Sequence, residues 1–563
     1  MEISLKVNDK IVSGDVVSDL FIDYFSNIPK QLVDDTSPQI NEIKSYLGNK
    51  NSKTFFMNPV INKEVEAAIS QLNNTNTLLS ISSAVLDSVK LIISPILTDI
   101  YNLCLNQGYF PSELKIGRIT PVHKKGCKQT LSNYRPICSL SPFSKILERI
   151  VHNKITEFLD KFDILLSTQY GFRQGMGTET ALVNFINSLH NSLTREHNVG
   201  AIFMDLSKAF DIMDLNILKI KLEHYGFRGI FLDFIMNFVE NRKYYVYING
   251  HQSETKNVNI GVPQGSTLGP LLFLIFINDM HNSSSLLNFN QFADDTTISL
   301  DSPDFIKLKE SLEQEANKVM HWFNSNRLII NLDKTNCMLF TNKKNTTNLD
   351  IKLNNHKIAM VSETKYLGVI IDNKLSWKSH IKHTCTKISK SLAILKIVRS
   401  IFPRNILRLI YMALIYPHIN YCNIIWGSAN NSTLEPLILL QKKAVRLVSK
   451  SSYLAHTAPL FRDLYFLKVQ QVFKFNCLTF MYKCLKLGKY PYFKNKLIRR
   501  SSYYSYNTRN NDLFRIPRER LNICKYSFFV VGIELWNDLD SDVKDSVNIH
   551  VFKRRLKCAW FEA

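Results

Sequence analysis

"NQFADDTTISL", residues 290–300, sets two adjacent carboxylates, Asp294 and Asp295, between apolar and β-prone flanks. Two negative side chains side by side repel each other and resist burial, so a half-buried strand that carries them needs a reason. A divalent metal ion is one reason and chance is the other. The chain holds its own control in "QLVDDTSPQ" (31–39), where Asp34-Asp35 lies in a polar, Pro-containing stretch and reads as a solvated loop. The dipeptide alone decides nothing; its surroundings do.

Upstream, "VGAIFMDL" (199–206) is β-like, and helical spacing follows through Leu215, Leu218, Leu222 and Tyr225 to a stop at Gly226. "KYYVYINGHQSETKNV" (243–258) predicts a hairpin turning on Asn249-Gly250. After "GVPQGS" (261–266) a uniformly apolar run predicts a buried helix reaching Asp279. The Asp-Asp segment then reads as a hairpin, Leu308, Leu312, Ala316 and Phe323 as an amphipathic helix, and "CMLF" (337–340) as a strand. Strand, helix, strand, strand, helix, strand is the split βαβ order, which predicts an antiparallel sheet with helices on one face. In that order the first strand ends at Asp205, and adjacent central strands would bring it close to Asp294 and Asp295. Three carboxylates at one point repel unless divalent ions sit among them. Two Mg²⁺ ions about 3.5–4 Å apart would activate an attacking hydroxyl and stabilise a leaving pyrophosphate. Hard oxygen ligands select Mg²⁺ or Mn²⁺ over softer metals.

The 563 residues are too many for one small core and imply roughly two to four domains. Seventy Lys and Arg against 48 Asp and Glu give a net charge of +22, which favours polyanionic partners, nucleic acid first. The longest apolar run, "GPLLFLIFI" (269–277), is about half of what spans a bilayer, and "MEISLKVNDK" lacks the pattern of a signal peptide. The ten cysteines are scattered without a Cys-x-x-Cys pair, as suits free thiols in a reducing setting. The expectation is an intracellular protein, nuclear or cytoplasmic, with no membrane partner. "SHIKHTC" (379–385) offers His380, His383 and Cys385 but no fourth ligand at finger-like spacing, so polar residues on a helix are the preferred reading over zinc.

Along the rest of the chain, residues 1–62 read as a linker or extension with one apolar cluster, "LFIDYF" (20–25). Apolar spacing is helical from 63 to 110, and "NQGYFPSEL" (106–114) supplies the stop. Residues 380–450 are helical and basic. Beyond 450 the chain mixes Tyr and Phe with Lys and Arg, as in "LIRRSSYYSYNTRNNDLFRIPRER" (497–520). That mixture suits stacking on bases beside phosphate contacts, and equally suits a basic surface over an aromatic core.

"AIFMDLSKAFD" (201–211), "GVPQGSTLGPLLF" (261–273) and "QFADDTT" (291–297) closely resemble three core motifs of reverse transcriptases, with wording near the jockey-like group of non-LTR (LINE-type) retrotransposons. "ITPVHKKG" and "NYRPICSLSPFSKILERIV", "STQYGFRQGMGTETAL", "NRLIINLDKTNCMLF" and "KYLGVIIDNKLSW" stand in the family's order. "LIYPHINYCNIIWG", "LQKKAVRLV", "YNTR" and "LWNDL" are similar to its carboxyl-terminal region, so the resemblance runs over about residues 55–563. It implies an α+β, right-hand polymerase: fingers at 63–198, a split βαβ (ferredoxin-like) palm at 199–372, a helical thumb at 373–450 and a basic, mainly helical domain at 451–563. It implies an RNA-directed DNA polymerase working on an RNA template, a DNA primer or target, and dNTPs, with two Mg²⁺ (or Mn²⁺).

The resemblance also assigns residues. Asp205, Asp294 and Asp295 match the catalytic metal ligands, and Phe210 the aromatic that packs under the sugar and excludes a 2′-hydroxyl. Gln264 matches the nucleotide-contacting glutamine. Arg135 in "NYRPI" matches the fingers arginine on the triphosphate, where a planar guanidinium suits phosphate oxygens. Lys124 or Lys125 assists, and sequence does not choose between them. Lys334 in "LDKTN" matches the lysine that protonates pyrophosphate, and Arg173 in "GFR" holds template or shapes the fingers. Taken singly, Phe210 would read as a core residue, Gln264 as a loop residue and Lys334 as a surface lysine.

Three departures stand out. "FDIMDL" (210–215) replaces the family's "FDTVDH", and "NTNTLLSISSAV" (74–85) replaces a Ser-x-Gly-x-Asp-Gly segment. The third concerns the amino terminus: such elements usually carry an apurinic-like endonuclease before the polymerase, and this chain is expected to lack it. The rival expectation is a catalytically silent nucleic-acid-binding relic or host-recruited protein. The intact aspartates, Phe210, Gln264 and Lys334 argue for retained chemistry. No dinucleotide loop, phosphate loop or His-Glu-x-x-His motif is present in the sequence.

Overall fold

Strand Asn198–Met204 is buried along its whole length, so both of its faces are covered. The computed structural model describes residues 3–7, 10–32, 39–72, 81–343, 348–490, 493, 497–502 and 513–562. Asp34-Asp35, positions 74–80 of the departed fingers segment and "YNTR" (506–509) lie outside the described residues. The chain folds into two units, Met1–Phe172 with Met204–Leu286 and Gln314–Leu332, and Arg173–Phe203 with Leu287–Glu313 and Asp333–Ala563.

The second unit is built on a five-stranded sheet. Its order is Ala359–Met360, Asn336–Phe340, Asn198–Met204, Asp295–Ser302, Asn288–Phe292. The first strand in the chain thus lies between the third and fourth main strands, the order that split βαβ topology requires. Met338 faces Ala201 and Phe340 faces Val199 across an antiparallel pair. Val199, Ala201 and Phe203 point to one side and join a core with Leu182, Phe185 and Leu189 of helix Thr178–Thr194. On the other side, a Cβ on Gly200 would come within 2.5 Å of the Leu312 side chain, so the sheet there needs a residue without one.

The expectation of helices on one face is therefore corrected. Helix Thr178–Thr194 covers the second face, and the lack of polar alternation in "NVGAIFM" is the signature of that double burial. Carboxyl-terminal to the sheet the unit is helical, with Lys378–Val398, Arg404–Leu414, Asn431–Val448, Val469–Leu485 and Ile549–Glu562 the longest elements. His380 is a core residue. Its Nδ1 accepts from the Ile370 N–H at 3.3 Å, its ring lies against Trp426, and burial pulls it down to about 4.

The first unit carries another sheet, in which Ile116–His123 pairs antiparallel with Tyr134–Ser139 and parallel with Arg242–Ile248. Asn249 and Gly250 close the next hairpin with φ of 53° and 86°, the left-handed pair that a two-residue turn of right-twisted strands demands. Helix Val16–Leu32 buries Val17, Phe21, Ile22 and Phe25 in the core of this sheet, with Ile119, Tyr134 and Val246. The apolar cluster within the stretch read as linker is thus a packed helix face. The helical stretch 63–110 is two helices, Asn62–Ser70 and Ser83–Gln107; the second is capped by the Ser82 hydroxyl and closed by Gly108 at φ 65°.

Every residue of helix Leu268–Ile277 except Pro270 is buried, as expected of a helix apolar all round. Its first N–H groups need acceptors, and the wholly buried Glu148 supplies them: Oε2 accepts from Thr267 at 2.7 Å and from Leu268 at 3.3 Å. Beyond the helix, Lys221 Nζ donates to Asp279 Oδ1 at 2.5 Å and to the Phe276 carbonyl at 2.6 Å. Trp322 Nε1 donates to the other Asp279 oxygen at 3.0 Å. Both charged side chains are fully buried, and burial pulls the Lys221 ammonium down while Asp279 opposes it. Among the described residues no helix is long and apolar enough to cross a membrane.

Candidate active site

The segment after Asp205 and the "GVPQGS" loop are tied together by backbone bonds. Gly261 N–H donates to the Met213 carbonyl and Val262 N–H to the Phe210 carbonyl, both at 2.9 Å. The approach is too close for a side chain. A Cβ on Gly261, at φ +77°, would lie 2.5 Å from the carbonyl oxygens of Phe210 and Asp211. Gly265 sits at φ +127°, where a Cβ would meet the Cys138 carbonyl at 2.3 Å. The Cys138 N–H in turn donates to the Gln264 carbonyl at 2.7 Å. The loop is thus pinned on one side to the 210–213 segment and on the other to strand Tyr134–Ser139.

Gln264 is held by its side chain as well. Its Nε2 donates to Asp211 Oδ1 at 2.7 Å. Burial pushes the Asp211 carboxyl up to about 6, against the opposing effects of this hydrogen bond and of Lys208. Both residues line a cavity of about 50 Å³ walled also by Ile22, Phe25, Tyr244 and Val262. Sequence reasoning missed Asp211. Its signal was its place beside Phe210 in "AFD", where attention to the aromatic hid the carboxylate. The Phe210 ring is clamped between Phe273, at 4.5 Å between centroids, and the edge of Phe172 at 6.3 Å. The two neighbouring rings limit where the Phe210 ring can lie.

Arg135 lies on strand Tyr134–Ser139, and Lys124 directly follows its partner strand Ile116–His123. Val122 faces Arg135 across the ladder, and the Lys124 N–H closes the pair on the Asn133 carbonyl at 2.8 Å. By strand alternation Lys124, Val122, Arg135 and Ile137 share one face, and all four are exposed while Ile119 and Cys138 are buried on the other. Lys125 is exposed in the following turn. The alternation distinguishes the two lysines: Lys124 shares the arginine's face by register.

Asp205 directly follows strand Asn198–Met204 and is half-buried. Its carbonyl accepts from the Asn331 N–H at 2.8 Å, and Leu206 bridges to Ile330, which fixes the backbone that carries the carboxylate. Asp294 occupies the tight turn of the predicted hairpin and Asp295 opens strand Asp295–Ser302, with Asp295 opposite Phe292 in the register. The preceding Ala293 takes φ 54° to make that turn. Lys334 is exposed two residues before strand Asn336–Phe340, and Arg173 is half-buried in the turn closed by Met176 N–H on its carbonyl.

Asp205, Phe210, Gln264, Lys124, Lys125 and Arg135 belong to the first unit, and Asp294, Asp295, Lys334 and Arg173 to the second. Within the first unit the fold brings Phe210 and Gln264 together with Asp211, beside the strand that bears Arg135. Among the described residues no group of three or more His, Cys, Asp or Glu side chains forms a metal cluster.

Residues 122–371 match the reverse transcriptase (RNA-dependent DNA polymerase) family. The chain is 30% identical over 379 residues to the RNA-directed DNA polymerase from mobile element jockey of Drosophila melanogaster, an alignment covering 65% of this chain and 41% of that protein. It is 27% identical over 377 residues to the probable RNA-directed DNA polymerase from transposon X-element of the same species, with the same coverage. A Pol polyprotein from the type-1 retrotransposable element R1 of Bradysia coprophila is 26% identical over 295 residues, 51% of this chain and 29% of its own length. The chain thus aligns with about two fifths of the jockey and X-element proteins. Over residues 122–371, then, the chain is similar to reverse transcriptases, and the relatives it matches are named as RNA-directed DNA polymerases of mobile elements.

Proposed function

We propose that the chain is an RNA-directed DNA polymerase that extends a DNA 3′-hydroxyl with dNTPs on an RNA template. The observation that carries this is the family match over residues 122–371, a span that contains Asp205, Asp294, Asp295, Phe210, Gln264 and Lys334, the residues that the motif resemblance assigns. The finer architecture goes with it: fingers at 63–198, palm at 199–372, thumb at 373–450, and a basic domain after them.

Asp205, Asp294 and Asp295 are the proposed metal ligands. Support comes from the chain: Asp205 follows the central strand and Asp295 begins its neighbour in the sheet. Three carboxylates are hard oxygen donors and fit Mg²⁺ or Mn²⁺ rather than softer ions. The chemistry such ions supply when bound is activation of the primer hydroxyl and neutralisation of charge on the leaving pyrophosphate.

The remaining residues position and select. Arg135, with Lys124 on the same strand face, binds the triphosphate; the rigid fork of the arginine orients it for in-line attack. Gln264 lies along the nucleotide, held by Asp211. Phe210 blocks a 2′-hydroxyl with its clamped ring. Lys334 delivers a proton to the departing pyrophosphate, and Arg173 holds template.

Extension of oligo(dT) on poly(rA) tests the proposal. Purified protein should make Mg²⁺-dependent product that is abolished by chelation. Absence of product where a known polymerase succeeds in the same buffer sinks the enzyme reading and favours a binding-only relic.

A further inference from the structure

Helices Thr178–Thr194, Tyr416–Asn420, Val469–Leu485 and Ile549–Glu562, all in the second unit, wall a cavity of about 610 Å³. Helical spacing builds it. Phe475, Thr479 and Lys483 recur every four residues on one helix, and Lys553, Arg554 and Lys557 lie within one turn of another, while Phe552 and Leu556 of that turn are buried. The four cations face one carboxylate, Glu179. They lie carboxyl-terminal to residues 122–371, outside the region that the family match covers.

Like charges gathered in a partly closed space oppose one another. Burial pulls the Lys553 ammonium down, Lys483 and Lys557 add to that, and Glu179 offsets it only in part. Burial and Arg408 pull Lys557 down as well, and its Nζ rests 5.4 Å from the Phe475 ring centroid. A fold spends stability to hold such a cluster, and an anionic guest removes the repulsion. Thr479, largely buried, also lines the cavity. The cavity holds far more than one phosphate, and half-buried Tyr416 and exposed His550 offer rings beside which a base can lie.

We infer that this cavity is a second nucleic-acid site, which takes the phosphate backbone of a single strand on Lys483, Lys553, Arg554 and Lys557. It stands apart from the polymerase proposal, since nucleic-acid binding here and primer extension are measured separately. RNA and DNA strands share the phosphate chemistry, and the assay compares them.

The test uses the full chain and labelled 12-nucleotide single strands of RNA and of DNA, read by fluorescence anisotropy over a salt series. Each lost phosphate contact lowers the slope of log affinity against log salt by about 0.7, so Lys553→Gln/Lys557→Gln should lower it by about 1.4. A control pair on the exposed surface of the same unit, Lys307→Gln/Lys525→Gln, should leave the slope in place. Lysine acylation mapped by mass spectrometry on the unaltered protein gives a readout that needs no variant: the oligonucleotide should protect Lys483, Lys553 and Lys557 and spare Lys307 and Lys525. Equal slopes for the two variant pairs, or unprotected cavity lysines, overturn the proposal. So does displacement of the strand from these lysines by inorganic phosphate at an equal phosphate concentration, which would make the cavity a site for small anions.

Discussion

Asp211→Asn keeps an oxygen in reach of the Gln264 amide, 2.7 Å away, and removes only the charge. Hydrogen bonds to charged groups contribute about 1.5–3 kcal/mol and neutral ones about 0.5–1.5, so the change is worth about 1–1.5 kcal/mol. In a step that depends on where Gln264 points, that is roughly five- to twelvefold. Asp211→Leu removes the acceptor altogether and should cost more. The pH dependence carries a sharper signature. With the carboxyl at about 6, pH 7.5 leaves about thirty ionised groups for each protonated one, whereas pH 5.5 leaves about one for every three. The sign for stability runs the other way. The folded value lies above the ordinary 3.8, so the native state holds the proton more tightly, and this group adds stability as pH falls from about 6 toward 4. Nucleotide use should therefore weaken across a window in which the fold, as far as this group is concerned, gains. Steady-state kcat/KM for dTTP on poly(rA)/oligo(dT) between pH 5.5 and 8 measures it, with primer–template saturating. The Asn variant should start lower at pH 7.5 and lack the acid limb. If KM for dTTP is unchanged at pH 7.5, or the variant keeps the wild-type limb, Asp211 does not position Gln264.

The other predictions concern packing and selectivity. Lys221→Met strands the Asp279 carboxylate in a site with no access to water, and breaking such a pair costs about 3–5 kcal/mol; urea denaturation should show it, and Lys221→Met/Asp279→Leu should recover part of the loss. Gly265→Ala forces a side chain into a left-handed residue 2.3 Å from a backbone oxygen that cannot turn away, so dTTP KM should rise together with a stability loss of about 1–3 kcal/mol. Phe210→Val shortens the clamped ring and should raise ribonucleotide incorporation relative to dNTP, read by alkali-sensitive product; an unchanged ratio removes Phe210 as the sugar gate.

Much of this was legible where local chemistry is decisive. Asn249-Gly250 has only one good turn to make, Gly226 ends its helix in the left-handed conformation, and the strand through Ala201 is too apolar for any other element. The Asp294 turn was legible for the same reason. What sequence hid was partnership at long range. "TALVNFINSLHNSL" carries a helix period but no mark of what it covers, so the second face of the sheet went unseen. Phe21 and Phe25 read as an isolated apolar cluster because the strands they pack on lie more than ninety residues further along the chain. Asp211 and Gln264 are 53 positions apart, and nothing in either motif announces that one donates to the other. The basic cavity joins helices from four parts of the chain, and composition could not separate it from a solvated surface.

The central claim is that this chain copies RNA into DNA with Asp294 as a metal ligand. The most direct measurement is single-turnover extension of a DNA primer on a heteropolymeric RNA template, wild type against Asp294→Asn, at saturating Mg²⁺ and matched template affinity. The account predicts full-length, template-directed product from the wild type and a loss of about a thousandfold or more in the variant, the scale of a removed transition-state charge contact. Equal rates, or equal silence beside an active control polymerase, would contradict it.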